Sequence, residues 1–475
     1  MRATGPHYHA GIMIENFLIR PAAKVGALLC RLAVAVLVFF PIAARAAEKA
    51  PDAKAGGGKV YEWKSKDGVA YAWRGPKKYD AAKGAGLTFI LHGSNLTHAW
   101  GFANHKAETF RPDDVVVCPD GTTANGRGGF NFLEGAEDAR KFHALIGELK
   151  AAFKVRGVYL YGHSQGSFFA LKYAGEYPDE VDGVVAHASG LWHSSKTGPA
   201  GHRQAIVLMH GTMDNVLSYG QSVAAYDALK QAGYPMVRLR SLENWNHWPA
   251  EHNGPVAHTS QQLAWVEGMT TKDAERLAVC FATLAEVKKR EEHDWAGLYT
   301  LAKHVSGSAI APAAVKARAA KAVTIVEGLA KAHAAALTAV KPGAAFEKKA
   351  WPAHLVMFLR AFMDVPAREE LAAAWKPSLT AQQTAAADTL KRYREIFEKK
   401  GSEPEAFQKG TALLTGGYLT YLNADGSLAV TLGAWAGDKK LKIDKEQLKN
   451  YATVLEVIKA GWQAFVAVNN KGSAP

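Results

Sequence analysis

The pentapeptide Gly162-His163-Ser164-Gln165-Gly166 follows the apolar run Val158–Tyr161 and opens a helix-like stretch, Gly166–Glu176. Small residues on both sides of a serine permit a sharp strand-to-helix turn that lifts the hydroxyl above the strand end. A serine hydroxyl is a weak nucleophile at neutral pH and needs an adjacent base. That base needs a carboxylate to hold its tautomer and to stabilise the imidazolium. Both partners follow in order. Asp214 lies in His210-Gly211-Thr212-Met213-Asp214-Asn215, just past the run Ala205–Met209. His247 lies in Asn244-Trp245-Asn246-His247-Trp248, just past Val237–Leu242. His252 and His258 are the rivals of His247, and Asp214 read alone is equally a turn or helix-cap residue. The chemistry expected is acyl transfer through Ser164, with His247 as base and Asp214 as orienting acid.

A tetrahedral intermediate needs preorganised N–H donors. The Gln165 backbone, directly after the nucleophile, supplies one. The loop His92-Gly93-Ser94-Asn95, after the run Leu87–Leu91, supplies the second. We assign it to Ser94, with Gly93 as the alternative, and read His92 as structural. Trp100, Trp192, Trp245 and Trp248, with Phe130, Phe132 and His187, lie in loops beside these strand ends and are candidate pocket walls. The Gly-rich stretch Asn125–Phe132 reads as a mobile rim. No H-E-x-x-H or similar ligand spacing occurs, so no metal is expected.

The elements around these residues follow from periodicity. Short Val-, Leu- and Ile-rich runs at Leu87–Leu91, Val115–Cys118, Val158–Tyr161, Gly183–Ala186, Ala205–Met209 and Val237–Leu242 suit strands buried on both faces. Lys59–Lys64 and Val69–Arg74 flank Lys66-Asp67-Gly68, a hairpin signal. Amphipathic stretches at Gly135–Phe153, Gly166–Glu176 and Ser218–Gln231 alternate with the strands, which predicts about eight strands, mostly parallel, with helices on both faces.

Taken together, Leu91-His92-Gly93, the serine pentapeptide, Ser189-Gly190-Leu191, His210-Gly211 with Asp214, and the late His247 resemble the serine carboxylesterase/phospholipase group of the α/β-hydrolases. That group includes acyl-protein thioesterases, and polyhydroxyalkanoate depolymerases and feruloyl esterases are similar. The resemblance covers roughly residues 60–269. It implies the α/β-hydrolase fold, the chain order serine, acid, histidine, and hydrolysis of carboxylic esters or thioesters without a cofactor. Two departures stand out: Ser167 occupies the place of a usual second glycine, and the chain runs on for about 200 residues past the histidine.

The whole chain has 475 residues and a formal net charge of +13. Arg20, Lys24 and Arg31 precede an apolar run, Leu32–Ile42, and then Ala44-Arg45-Ala46. This is the layout of a secretory signal peptide, so residues 1–46 are read as removed on export to the periplasm or outside the cell. Residues 47–58 read as a flexible lead-in and 59–269 as the catalytic domain. Residues 270–475 read as a separate all-helical domain, with breaks near Ser306–Ala313, Pro342–Gly343, Pro366 and Gly401–Pro404, and with a loop or short hairpin at Gly433–Asp438. A cut near residue 272 is then expected to separate chemistry from targeting. The stretch 270–475 carries 29 Lys and Arg against 21 Asp and Glu. Two readings suit that excess: solvated helix faces, or attraction to an acidic envelope polymer or membrane surface. The partners expected are a small-molecule or polymeric ester substrate and no nucleic acid. Three cysteines, Cys30, Cys118 and Cys280, exclude a disulfide framework or a cysteine-built metal site. Cys118 and Cys280 read as free buried thiols, with a bridge between them as the alternative.

Overall fold

A computed structural model describes residues 47–53, 58–338, 359–373, 418–422 and 428–432, with short interruptions at 108, 213, 215, 243–244, 249–254 and 288–292. The expected signal segment 1–46, His252, and the expectations for 342–343, 382–404 and 433–438 lie outside the described residues.

One nine-stranded sheet organises the molecule. Its strands are β1 (Ala47–Glu48), β2 (Val60–Lys64), β3 (Ala70–Arg74), β4 (Ala85–Leu91), β5 (Asp114–Pro119), β8 (Val155–His163), β9 (Gly183–His187), β10 (Ala205–Gly211) and β11 (Val237–Leu242). They lie in the order β1-β2-β3-β5-β4-β8-β9-β10-β11. Antiparallel pairing is confined to β2–β3 and β3–β5, and the other pairs of this sheet are parallel. The short strands β6 (Thr123–Ala124) and β7 (Phe130–Asn131) form a separate hairpin.

The period of two along each central strand sorts side chains between two apolar layers. On one side Leu87, Phe89, Val158, Leu160, Ile206 and Leu208 meet α2 (Ala136–Ala152), α3 (Gln165–Glu176) and α4 (Tyr219–Gln231). On the other, Tyr159, Tyr161, Val185, Val207 and Met209 share a core with Trp100 of α1 (Ala99–Asn104), α5 (Pro255–Thr270), α6 (Ala274–Ala285), α7 (Trp295–Gly307) and α8 (Ala313–Thr338).

This second layer corrects the expected boundary at 269/270. Helices α6 to α8 are not a separate body: Leu277, Phe281, Leu298 and Leu301 are in the same core as the sheet. Two buried ionic groups fasten them. Arg238 of β11 makes a bidentate pair with Asp294, at 2.6 and 2.5 Å, and Gln262 of α5 bonds both partners. Asp294 also accepts from the Gly297 amide, so the same carboxylate caps α7. Glu267 of α5 takes Arg276 of α6 and, at 2.6 Å, Arg111, which itself pairs with Asp114 of β5. A buried charge is tolerated when paired and hydrogen bonded, and these six are.

Two further expectations change. The lead-in at 47–58 is held at its start: Ala47 and Glu48 pair with Tyr61 and Glu62, and the Trp73 indole N–H donates to the Lys49 carbonyl at 2.8 Å. The C-terminal stretch is not all helical, because β12 (Tyr418–Leu422) and β13 (Leu428–Leu432) form an antiparallel hairpin. It lies just before the place, 433–438, where a loop or hairpin is expected from sequence. Cys118 and Cys280 are both free and buried.

Candidate active site

Four loops leave the carboxyl ends of β4, β8, β10 and β11 and bring the candidate residues to one edge of the sheet. In open α/β sheets that edge is where ligands bind. Ser164 is the residue between β8 and α3, with φ +52° and ψ −124°. This is a strained conformation for a non-glycine residue, of the kind that persists where the surroundings over-determine it. Those surroundings are visible. The Ser164 N–H donates to the His187 carbonyl at 2.9 Å, and its own carbonyl accepts from the Ser167 and Phe168 amides.

Two glycines allow the turn by close approach rather than by unusual φ. A Cβ on Gly162 would meet the Ser167 Cα at 2.4 Å, and one on Gly166 would meet the Leu91 and His92 carbonyl oxygens at 2.5 Å. Gly166→Ala is therefore expected to push α3 away from the β4 loop. It should cost about 1–3 kcal/mol and most of the hydrolytic activity, read by thermal melting and ester turnover. Ser167, the departure from the usual glycine, turns its hydroxyl inward, onto the Ser164 carbonyl and the His187 carbonyl.

Asp214 and His247 meet as sequence order suggests. Asp214 Oδ2 is 2.7 Å from His247 Nδ1. The other carboxylate oxygen, Oδ1, accepts from the Val216 and Leu217 amides, each at 2.8 Å. Burial pushes the Asp214 carboxyl up, but hydrogen bonds from His210, His247 and the two amides outweigh it and hold the group well below the usual carboxylate range. The His247 ring lies 5.0 Å from that of His163, the residue before the serine. Ser164 Oγ makes no hydrogen bond in this structure among the described residues, so its alignment with His247 Nε2 is left to substrate binding. Of the rival bases, His258 packs edge-on against Trp245, and burial takes it down to about 3.

Oxyanion donors are placed at the same corner. Gln165 opens α3, and first-turn N–H groups have no intrahelical partner. A Cβ on Gly93 would come within 3.3 Å of the Ser164 Cβ, so the loop carrying Gly93 and Ser94 runs directly over the nucleophile. His92 holds that loop: its Nδ1 lies 2.7 Å from the Gly93 carbonyl, and its Nε2 accepts from the Gly121 amide at 3.1 Å. This agrees with a structural His92.

The stretch expected as a mobile rim is instead tied to this loop, a correction that sequence offered no signal for. Asn95 N–H donates to the Phe130 carbonyl at 3.0 Å, and the Asn95 Oδ1 accepts from Asn125 and Asn131. The Phe132 amide donates to Gln165 Oε1 at 3.0 Å, which joins the rim to the first residue of α3.

The aromatic candidates separate. Trp248 is 42 % exposed, and its ring lies 5.4 Å from that of His247 and 5.7 Å from that of His163. It is the exposed tryptophan beside His247. Trp100 is buried and stacks on His163 at 5.1 Å, Trp192 stacks on Phe168, and Trp245 covers His258. Phe132 is buried against His92 and Phe169, and Phe130 is half-buried beside them in β7. His187 is buried, its Nδ1 2.9 Å from that of His163. Burial takes His187 down to about 3 and holds His163 well below the usual value. Among the described residues, no three His, Cys, Asp or Glu side chains converge as a metal site. Sequence reasoning passed over His210, whose Nε2 lies 3.1 Å from Asp214 Oδ2.

Residues 135–253, which hold Ser164, Asp214 and His247, match the family model described as phospholipase/carboxylesterase. That segment is carboxylesterase-like and lies within the α/β-hydrolase fold described above. No curated protein matches the chain. Among solved structures, the hydrolase is similar to a Bacillus cereus carboxylesterase, with 19 % identity over 42 % of this chain and 94 % of that one, at a TM-score of 0.35. It is also similar to a Mesorhizobium loti carboxylesterase (18 %, 41 % and 94 %, TM-score 0.34) and to Zea mays acyl-protein thioesterase 2 (20 %, 41 % and 98 %, TM-score 0.31).

Proposed function

We propose that this hydrolase cleaves carboxylic esters or thioesters through an acyl-enzyme on Ser164. The observation that carries the reading is the 2.7 Å contact of Asp214 with His247 Nδ1, beside the strained Ser164 turn. Asp214 fixes the tautomer in which Nδ1 carries the proton and Nε2 presents its lone pair. His247 Nε2 takes the Ser164 proton as Oγ attacks the carbonyl carbon. The carbonyl oxygen becomes an oxyanion and is held by the Gln165 and Ser94 amides. Collapse of the tetrahedral intermediate expels the alcohol or thiol, which takes the proton from His247. Water, deprotonated by the same nitrogen, then releases the acid.

Trp248 forms the apolar wall on the open side and packs against the acyl or alcohol part of the substrate. The same reading has the enzyme exported, on the strength of the Arg20–Ala46 segment, with the excess of Lys and Arg beyond 270 drawing it to acidic surfaces of the cell envelope.

The test is hydrolysis of 4-nitrophenyl esters from acetate to palmitate by the full chain. Turnover with a chain-length optimum is expected, and the optimum measures the acyl site. Turnover confined to aminoacyl nitroanilides would sink the ester reading in favour of a peptidase.

A further inference from the structure

β11 ends the sheet: β10 pairs with one of its sides, and among the described residues no strand pairs with the other. A free strand edge bares a row of N–H and C=O groups and is commonly covered by a helix or loop. β11 is buried along nearly its whole length. The start of α7 supplies part of the cover, with Asp294 on Arg238 and the His293 carbonyl on Arg240. Residues 359–373 come to the same place from much further along the chain. Leu359, Phe362 and Val365 lie in the core of α7 and α8, and the Phe362 ring meets that of His333 in α8 at 5.9 Å. Met363 lies in the opposite layer, with Tyr219 and Val223 of α4 and Leu239 of β11. So short a segment reaches both layers only by passing round an edge of the sheet.

Arg360 shows which edge. It is buried, with its guanidinium 4.9 Å from the centre of the Tyr219 ring. The Tyr219 hydroxyl is hydrogen bonded to Ser241 Oγ of β11 at 2.6 Å. A cation is attracted to an aromatic face, most strongly where water is excluded. Strand β13 lies against α4 as well.

Tyr219 is the first residue of α4, and the turn that carries Asp214 runs straight into it. Its ring meets that of His210 edge-on at 5.8 Å, and His210 Nε2 lies 3.1 Å from both Asp214 Oδ2 and the Leu217 carbonyl. Val216 and Leu217 donate their amides to the other oxygen of the same carboxylate. The turn that aims Asp214 at His247 is thus built onto the start of α4, and Arg360 grips that start from outside.

We propose that residues 359–373 are a strap round the β11 edge, and that Arg360, acting through Tyr219, is a positioning residue for the Asp214 turn. Without its charge the first turn of α4 loosens, and the Val216 and Leu217 amides hold Asp214 less firmly. A loosely held carboxylate leaves the His247 ring aligned for less of the time. That lowers kcat and leaves ester binding as it was. The kinetic part rests on the triad reading above, whereas the path of contacts from Arg360 to Asp214 does not.

The test uses variants of the full chain. Arg360→Met keeps the reach of the side chain and removes the charge, and Arg360→Lys puts a cation back over the ring. In Arg360→Met the Val216 and Leu217 amides are expected to exchange their hydrogens about tenfold faster, with those of β4 and β8 unchanged, and kcat on 4-nitrophenyl acetate to fall about tenfold at constant KM. Arg360→Lys is expected to recover most of both. Tyr219→Leu, which keeps the cation and removes the ring, is expected to lose at least as much, and adding Arg360→Met to it is expected to cost nothing more. It carries the exchange test if Arg360→Met does not fold. Unchanged exchange of the two amides in the folded variant would overturn the strap's hold on the turn. Losses that add in the double variant, or that Arg360→Lys does not repair, would overturn the route through Tyr219. Faster exchange as expected, together with turnover that survives Ser164→Ala, would overturn the triad reading alone.

Discussion

Ser164→Ala is expected to lower ester turnover by about a million-fold in kcat while the protein melts where the parent does. The two halves of this result have separate causes. Without the hydroxyl no acyl-enzyme forms, and what remains is the contribution of the oxyanion donors and binding. The fold is expected to be untouched because, among the described residues, Ser164 Oγ makes no hydrogen bond whose loss would orphan a buried group. The backbone bonds that hold the turn, to the His187 carbonyl and from the Ser167 and Phe168 amides, do not involve the side chain. Side-by-side assay and thermal melting check both halves. Residual turnover within tenfold of the parent would show that another group is the nucleophile.

A chain ending at Thr271 is expected to yield no folded hydrolase, although it retains Ser164, Asp214 and His247. Such a cut removes Leu277, Phe281, Leu298 and Leu301 from the core that covers one face of the sheet. It also removes Asp294 and Arg276, leaving the Arg238 guanidinium in β11 unpaired and Glu267 without one of its two cations. Asp294→Ala alone isolates the first of these losses. Breaking a buried pair by removing one partner costs about 3–5 kcal/mol, measurable by urea unfolding of the full chain.

The same carboxylates set an acid limit. Burial opposes ionisation, but Arg238 holds Asp294 well below the usual range, and Arg111 and Arg276 hold Glu267 down to about 2. Groups depressed in the fold stabilise it fully above the ordinary carboxylate range. That contribution is lost as pH falls from about 4 toward the depressed values. A soluble, active fragment ending at 271 would show that the helices are dispensable.

What was legible in the sequence was whatever is local. The strand runs and α2 to α4 depend on periodicity and turn chemistry within a few residues, and the structure has them where expected. Long-range pairings were not legible. Arg238 and Asp294 are 56 residues apart, and nothing in either segment points to the other. Arg at 238 and 240 in an otherwise apolar strand signals a buried charge in need of a partner, without saying which. The helical period of residues 274–338 was readable, but a period says only that a face is apolar, not that the sheet is what it covers. His210 was visible in His210-Gly211 and was passed over, because its contact with Ser222 is tertiary.

The distance along the chain between Arg238 and Asp294 also constrains the order in which the molecule is made. Synthesis delivers a chain from its N-terminus, so all three residues of the proposed triad emerge before Asp294 does. Until then Arg238 has no carboxylate to meet, and one face of the sheet is uncovered. A nascent chain with every catalytic residue in hand is therefore still an inactive, sticky intermediate, and enzymatic competence arrives only with the helices that take no part in the chemistry.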